Sequence, residues 1–443
     1  MSNNVYSAFE EHEFFGEFFL STSTSQARFP AKIKYSPLNG LQLMYSISDF
    51  NVESSCARLY GILDNGSQCT LVGPFDFDTG THRHYKVYTK SGIHGFAYLM
   101  IGSFLEESET FGNCRFTFHG MQEFFHPQGH ISQVKFTNEI LEKIEGVGWT
   151  INIENQATFK RLGDRILNLI HTTNSDAMIE LDEAFKKIKE RHPNAFFNLR
   201  NSLKYYFNFK KTSEQSSSSY IADANKISAL FSILMNKPTF PEEIRLYSHE
   251  KPKEVIHVLS SLCLESRTID LINRDTSFFF LPINRSKVDM SEVITKWLDC
   301  YDEYRVISVT HQYETGFRTL HSAYSDIILY STQLESINRD LGGATGVKYA
   351  NPIEFYGSPI LVEILSASFA KYNNDSLGEN ISNLRNELAH VGRPKVLIHS
   401  LTIDEYVKIG SLLQLVVVSH LLSKIGFDQS LIHEYQDKLI SEN

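Results

Sequence analysis

The run Asn383-Leu384-Arg385-Asn386-Glu387-Leu388-Ala389-His390-Val391-Gly392 decides how the C-terminal part of this chain is read. It reads as helix, and it places an arginine, an asparagine and a histidine within six residues. Gly392 and Pro394 follow as stop signals. Arginine is a permanently charged, two-pronged phosphate binder, and histidine is the side chain that gives and takes protons near neutral pH. Together they suit metal-free cleavage of a phosphodiester. No other short segment brings together groups able to do chemistry. The hexad Arg385 to His390 is expected to open a short helix near the centre of an all-α region.

Outward from the hexad, residues 306–443 keep a helical texture. His311 to Asn338 carries Phe317, Leu320, Tyr324, Ile327, Ile328, Leu334 and Ile337 near a 3.6-residue period, and Gly342-Gly343 ends it. A second helix is expected over 359–372, and a third around the hexad. A fourth starts at Thr402-Ile403-Asp404-Glu405, a capping-box arrangement, and runs to Lys424 before Gly426. The result is a four-helix bundle.

Residues 1–150 read as β instead. Runs such as Phe14-Phe15-Gly16-Glu17-Phe18-Phe19-Leu20, Leu41 to Ser46, Ala57 to Leu63 and Cys114 to Phe118 are separated by turn residues. Asp64-Asn65-Gly66 is a hairpin signal. A sandwich or open barrel follows. Residues 151–305 mix periods as a continuation of the same module. Asn225 to Met235 has helical spacing, Glu243 to Tyr247 reads as a strand, and Thr212 to Ser219 reads as a polar loop. The fold class is therefore α+β and multidomain, with a β-rich start, a mixed middle and an all-α end.

At 443 residues the chain is too long for one ordinary core, and its 42% hydrophobic and 21% charged content is that of a globular protein. The longest apolar runs, such as Leu412 to Val418, are too short to span a bilayer, and the N-terminus lacks the pattern of a signal peptide. A cytoplasmic protein with no membrane partner is the expectation. Five cysteines without a CxxC pair argue against a disulfide framework.

The formal charge of −10 gives no general attraction for nucleic acid. Residues 306–443 hold ten Lys and Arg against fifteen Asp and Glu, so RNA binding needs a basic surface from elsewhere. Arg200, Lys204, Lys210 and Lys211 interleave with Tyr205, Tyr206, Phe207 and Phe209, which suits stacking on unpaired bases plus phosphate contacts. The same pattern fits a half-buried strand with a basic edge. Lys186-Lys187-Ile188-Lys189-Glu190-Arg191 reads as a solvated helix face.

Other chemistry finds little support. Cys114, His119, His126 and His130 lie close in sequence, and His82 and His84 flank an arginine, but none has zinc-finger spacing. No metal or cofactor is assigned. Gly342 to Lys348 lacks the order of a phosphate loop and follows a helix, and no GxSxG elbow is present. Glu335, on the first bundle helix, is a candidate polar partner of Arg385 or His390 across the bundle, and an exposed carboxylate explains it equally well. His311 and His321 on that helix read as structural.

The hexad and its setting resemble the HEPN ribonuclease superfamily, whose mark is Arg-x4-6-His, often Arg-Asn-x3-His, within a helical bundle. Arg385, Asn386 and His390 match it. The resemblance implies a metal-independent endoribonuclease without a cofactor, acting as a homodimer or higher homo-oligomer with two motifs facing in a cleft. Five residues on an ideal helix lie about 140° apart, so Arg385 and His390 do not readily converge from one regular helix. Pairing two copies, or unwinding the helix start, solves this.

The whole chain resembles the ApeA family of bacterial anti-phage abortive-infection proteins. The carrying features are Phe15-Gly16-Glu17-Phe18, Leu41-Gln42-Leu43, the Ile227-to-Met235 helix leading into Ile244-Arg245-Leu246, and Lys296-Trp297 before the bundle. That resemblance implies an N-terminal region that senses or restrains, with a phage protein as trigger, and a bundle that cuts RNA, tRNA among the candidates, to halt translation. The RNA 2′-OH would be the nucleophile, so DNA would not be a substrate. His390 would act as base or acid, Arg385 would hold the phosphate, and Asn386 would orient the histidine or donate to a phosphate oxygen. The alternative is a non-catalytic HEPN dimerisation or ligand-binding module in a partner-binding sensor protein.

Overall fold

The computed structural model describes residues 6–21, 27–48, 55–78, 81–84, 87–125, 139–161, 170–195, 197–248, 254–274, 277–314, 320–372 and 375–442. Its strands are β1 (His12–Phe19), β2 (Phe29–Ser36), β3 (Gly40–Ile47), β4 (Ser55–Leu63), β5 (Gln68–Asp76), β6 (Thr81–His84) and β7 (Val87–Phe96). They continue as β8 (Tyr98–Ile101), β9 (Thr110–Thr117), β10 (Glu139–Gly146), β11 (Trp149–Arg161), β12 (Asn198–Ser216), β13 (Glu243–Tyr247) and β14 (Val255–Ser260). The helices are α1 (Met121–Phe125), α2 (Ser175–Arg191), α3 (Ser217–Met235), α4 (Ser266–Asn273), α5 (Met290–Glu314) and α6 (Leu320–Asp340). After them come α7 (Ala350–Tyr356), α8 (Pro359–Ala370), α9 (Leu377–Ala389), α10 (Val396–Ser400), α11 (Ile403–Lys424) and α12 (Gln429–Glu442).

All described strands join one antiparallel sheet in the order β10-β11-β12-β9-β13-β14-β8-β5-β4-β1-β2-β3-β7-β6. Period-two patterning builds it. In β2, Phe29, Ala31, Ile33 and Tyr35 point inward while the residues between them are exposed or half-buried. The Asp64-Asn65-Gly66 turn links β4 to β5, with Gly66 at φ +81°, a region that favours glycine. The run from β5 to β7 curls until its ends meet. Phe75 of β5 touches Phe96 of β7 with ring centroids 5.8 Å apart, and the Ala97 N–H donates to the Val72 carbonyl at 2.9 Å. This barrel-like roll encloses its own aromatic core.

The other half of the sheet, β10 to β14, lays its apolar face on α3. That helix is buried along most of its length, including Tyr220, Ile227, Phe231 and Leu234. Here the expected polar loop at 212–219 is corrected. β12 runs on to Ser216, whose hydroxyl accepts the Ser219 N–H and so starts α3. Serine serves as an N-cap because it satisfies a helix-start donor.

The C-terminal region is all-α, with α6, α8, α9 and α11 around one core of Ile327, Leu334, Leu361, Leu384 and Leu413. The helix expected over 311–338 covers the end of α5 and most of α6, with residues 315–319 between them outside the described residues. His311 belongs to α5, where its Nδ1 lies 3.3 Å from Ser232 Oγ, while the His321 side chain falls outside the described residues. The boundary expected near 305 falls inside α5, which packs against α3 and β10. Val418, Leu421 and Leu422 of α11, Ile425 just past its end and Tyr435 of α12 join the cluster that holds Phe231, Trp297 and the sheet. The two regions therefore share a core. Among the described residues one helix, Ile403–Lys424, is long and apolar enough to cross a membrane, and it is the bundle's central helix, mostly buried.

Candidate active site

α9 carries the hexad. Ser376 opens it with a capping box: its hydroxyl accepts the Glu379 N–H at 3.3 Å, and Glu379 accepts the Ser376 N–H at 3.0 Å. Ile381 and Leu384 face the bundle core, which leaves Arg385 and Asn386 half-buried beside it. The hexad thus closes a helix, not opens one, because the capping box sets the start at Leu377.

His390 is the C-cap, in extended conformation at φ −124°, ψ 122°, and its N–H donates to the Asn386 carbonyl at 3.1 Å. The unwinding expected at the helix start occurs at its end instead. The His390 imidazole therefore escapes the helical repeat that would hold it about 140° from Arg385. It is exposed and has no hydrogen-bond partner among the described residues.

Lys395 fixes this corner. Its ammonium donates to the carbonyls of Glu387 and of His390, the latter at 2.8 Å, capping helix acceptors that would otherwise be orphaned. The Glu387 carboxylate, buried, accepts the Ile398 N–H at 3.0 Å and ties the following turn to α9. Neither residue was singled out from sequence. A cation just beyond a helix end was the available signal.

Arg385 donates from Nη1 to Asn386 Oδ1 at 3.1 Å, and its buried Nε has no hydrogen-bond partner among the described residues. Across the bundle Glu335 accepts from Lys348 Nζ at 2.8 Å and Tyr349 Oη at 2.5 Å. Burial opposes the Glu335 charge, but those hydrogen bonds and the fields of Lys348 and Arg385 outweigh it, holding the carboxyl below its usual range. Glu335 therefore feels the arginine while its direct bonds go to Lys348 and Tyr349. With Arg393 exposed in the next turn, the hexad sits in a locally basic corner of an acidic bundle.

The structure does not bring the basic strand to this corner. Lys204 is ion-paired with Glu242 and Glu243 at 2.9 and 2.7 Å, and Lys211 with Asp223 at 2.5 Å. Tyr205, Tyr206, Phe207 and Phe209 are at most 2% exposed, so stacking bases on them would require opening the core. Lys210 is exposed, and the Arg200 side chain lies outside the described residues. So do His126, His130 and the side chains of His82 and His84. Cys114 is buried, with its thiol pushed up by burial, and His119 Nδ1 faces Glu242 at 3.9 Å.

Two family models match the chain: ApeA N-terminal domain 1 over residues 13–297, and Apea-like HEPN over residues 315–431. The chain belongs to the ApeA family. The HEPN match covers α6 to α11 and includes Arg385, Asn386 and His390. The N-terminal match runs from β1 through the rest of the sheet and ends within α5, and the HEPN match begins at residue 315. No curated protein and no solved structure gives a significant match.

Proposed function

We propose that this chain is an effector of anti-phage defence, a metal-independent endoribonuclease that cuts RNA, tRNA among its targets, to halt translation and abort infection. The observation that carries the reading is the end of α9: an exposed His390 released from the helix five residues after an Arg385 whose Nε has no hydrogen-bond partner among the described residues. The 2′-oxygen attacks the adjacent phosphorus and the 5′-oxygen leaves, giving a 2′,3′-cyclic phosphate and a 5′-hydroxyl. His390 takes the 2′-OH proton or protonates the leaving oxygen. Arg385 offsets the charge that builds on the phosphate, and Asn386 holds the guanidinium in place. The acidic bundle favours an assembly in which two copies set their basic corners face to face, so that one contributes the arginine opposite the other's histidine.

Sequencing RNA ends from cells expressing wild type and His390→Ala, with chemistry selective for cyclic-phosphate termini, tests this. Wild type should show such ends, in EDTA-treated lysates as well, and both His390→Ala and Arg385→Ala should lack them. Full toxicity retained by both variants would instead favour a non-catalytic dimerisation module.

A further inference from the structure

α2 stands apart from both cores. It lies between β11 and β12, starts on an Asn174 cap whose Oδ1 accepts the N–H groups of Asp176 and Ala177 at 3.0 and 3.2 Å, and buries none of its residues. In proteins most helical stability comes from packing of an amphipathic face and not from propensity. Such a face exists. Met178, Leu181, Phe185 and Ile188 recur at spacings of three, four and three residues, the seam of a two-helix coiled coil. Leu181 and Ile188 are 38% and 36% exposed, and the half-buried Phe185 ring meets the ring of Phe197 and has Lys189 Nζ 5.6 Å from its centroid.

Charge selects the occupant. The first half of α2 carries Asp176, Glu180, Asp182 and Glu183 with no cation, and the second half carries Lys186, Lys187, Lys189 and Arg191 with Glu190 as the exception. The helix dipole accounts for charge in the terminal turns, and the Asp182–Lys186 pair at 2.6 Å uses part of the middle. Neither accounts for the seam. A second α2 laid antiparallel would cover the seam with its own and place each acidic half along a basic half, an isologous arrangement.

We propose that α2 pairs antiparallel with α2 of a second copy, about a two-fold axis near Glu183, independently of any contact between the bundles. One helix pair buries less than the roughly 800 Å² per partner of a standard stable interface, so the contact is weak alone and adds to other contacts between copies.

Single added cysteines in a Cys56→Ser, Cys263→Ser, Cys300→Ser background, which keeps only the buried Cys69 and Cys114, test the pairing with a short bis-maleimide. In the antiparallel pair Ser175 of one copy lies level with residue 191 of the other, whereas the two Ser175 positions are about 24 Å apart. A mixture of Ser175→Cys and Arg191→Cys proteins should crosslink, and Ser175→Cys alone should not. Adding Leu181→Glu and Ile188→Glu to both should abolish the crosslink, while wild-type circular dichroism is retained. Crosslinking of Ser175→Cys with itself, no crosslink in the mixture, or a crosslink that survives the double substitution would each overturn the proposal.

Discussion

Lys395 shows how much of the candidate site rests on one side chain outside the motif. Its ammonium closes the last carbonyls of α9 and so fixes the corner from which His390 projects. Lys395→Met keeps most of the stem and removes the donor. Cleavage should fall on the order of 10- to 100-fold, mainly in kcat, with far-UV circular dichroism unchanged, since small misplacements of a reacting group cost that much. Lys395→Arg should recover part of the loss. A Met variant with wild-type kcat would remove the positioning role. Arg385, Asn386 and His390 were singled out as a set because an arginine, an asparagine and a histidine fall within six residues. Their placement was not, because the Ser376 cap that sets the helix start lies outside the motif.

Elements with local start signals were read closely from sequence. Thr402 and Glu405 form the expected capping box, α11 runs to Lys424 as expected, and Gly426 takes φ +106° just beyond it. Thr402→Ala removes the hydroxyl that accepts the Glu405 N–H and should cost about 1 kcal/mol. The midpoint of chemical unfolding would show it, and an unchanged midpoint would mean that the bundle compensates. β13 was legible as well, since Glu243 to Tyr247 reads as a strand and is one. That His311 belongs to a helix beginning at Met290 was not, because apolar spacing alone does not mark where a helix begins. Strand order was also hidden. β9 lies between β12 and β13, so hairpin signals alone could not place it.

At the scale of the molecule, His420 sits where several helices meet. Its Nδ1 is 2.9 Å from Tyr356 Oη on α7, its Nε2 is 3.6 Å from Asp340 at the end of α6, and its ring lies 5.9 Å from that of Tyr304 on α5. Burial first, and then the field of Lys424, push its pKa down to about 4 against the pull of Asp340. An unfolded histidine titrates near 6.5, so between these values the unfolded chain takes a proton that the folded chain refuses. This contribution is complete above pH 6.5 and is lost as pH falls toward 4, up to about 3 kcal/mol. Unfolding midpoints measured across that range should fall on acidification, and His420→Gln should flatten the slope. An identical slope in the variant would place the effect elsewhere, with His257, also held at about 4 by burial and Arg245, the next group to change.

The core that α11 and α12 share with the sheet has a further consequence, for how such a chain can change over time. Close-packed interiors transmit a volume change to their neighbours. The inward positions of β9, β12 and β13, such as Phe116, Phe207 and Leu246, share one packing problem with Leu421 and Leu422 of the bundle. A lineage under pressure to alter what the sheet meets is therefore free at outward strand positions and loops, and held at inward ones by the half of the molecule that carries the arginine and histidine. Novelty at one end is confined to the surface because the interior belongs to both.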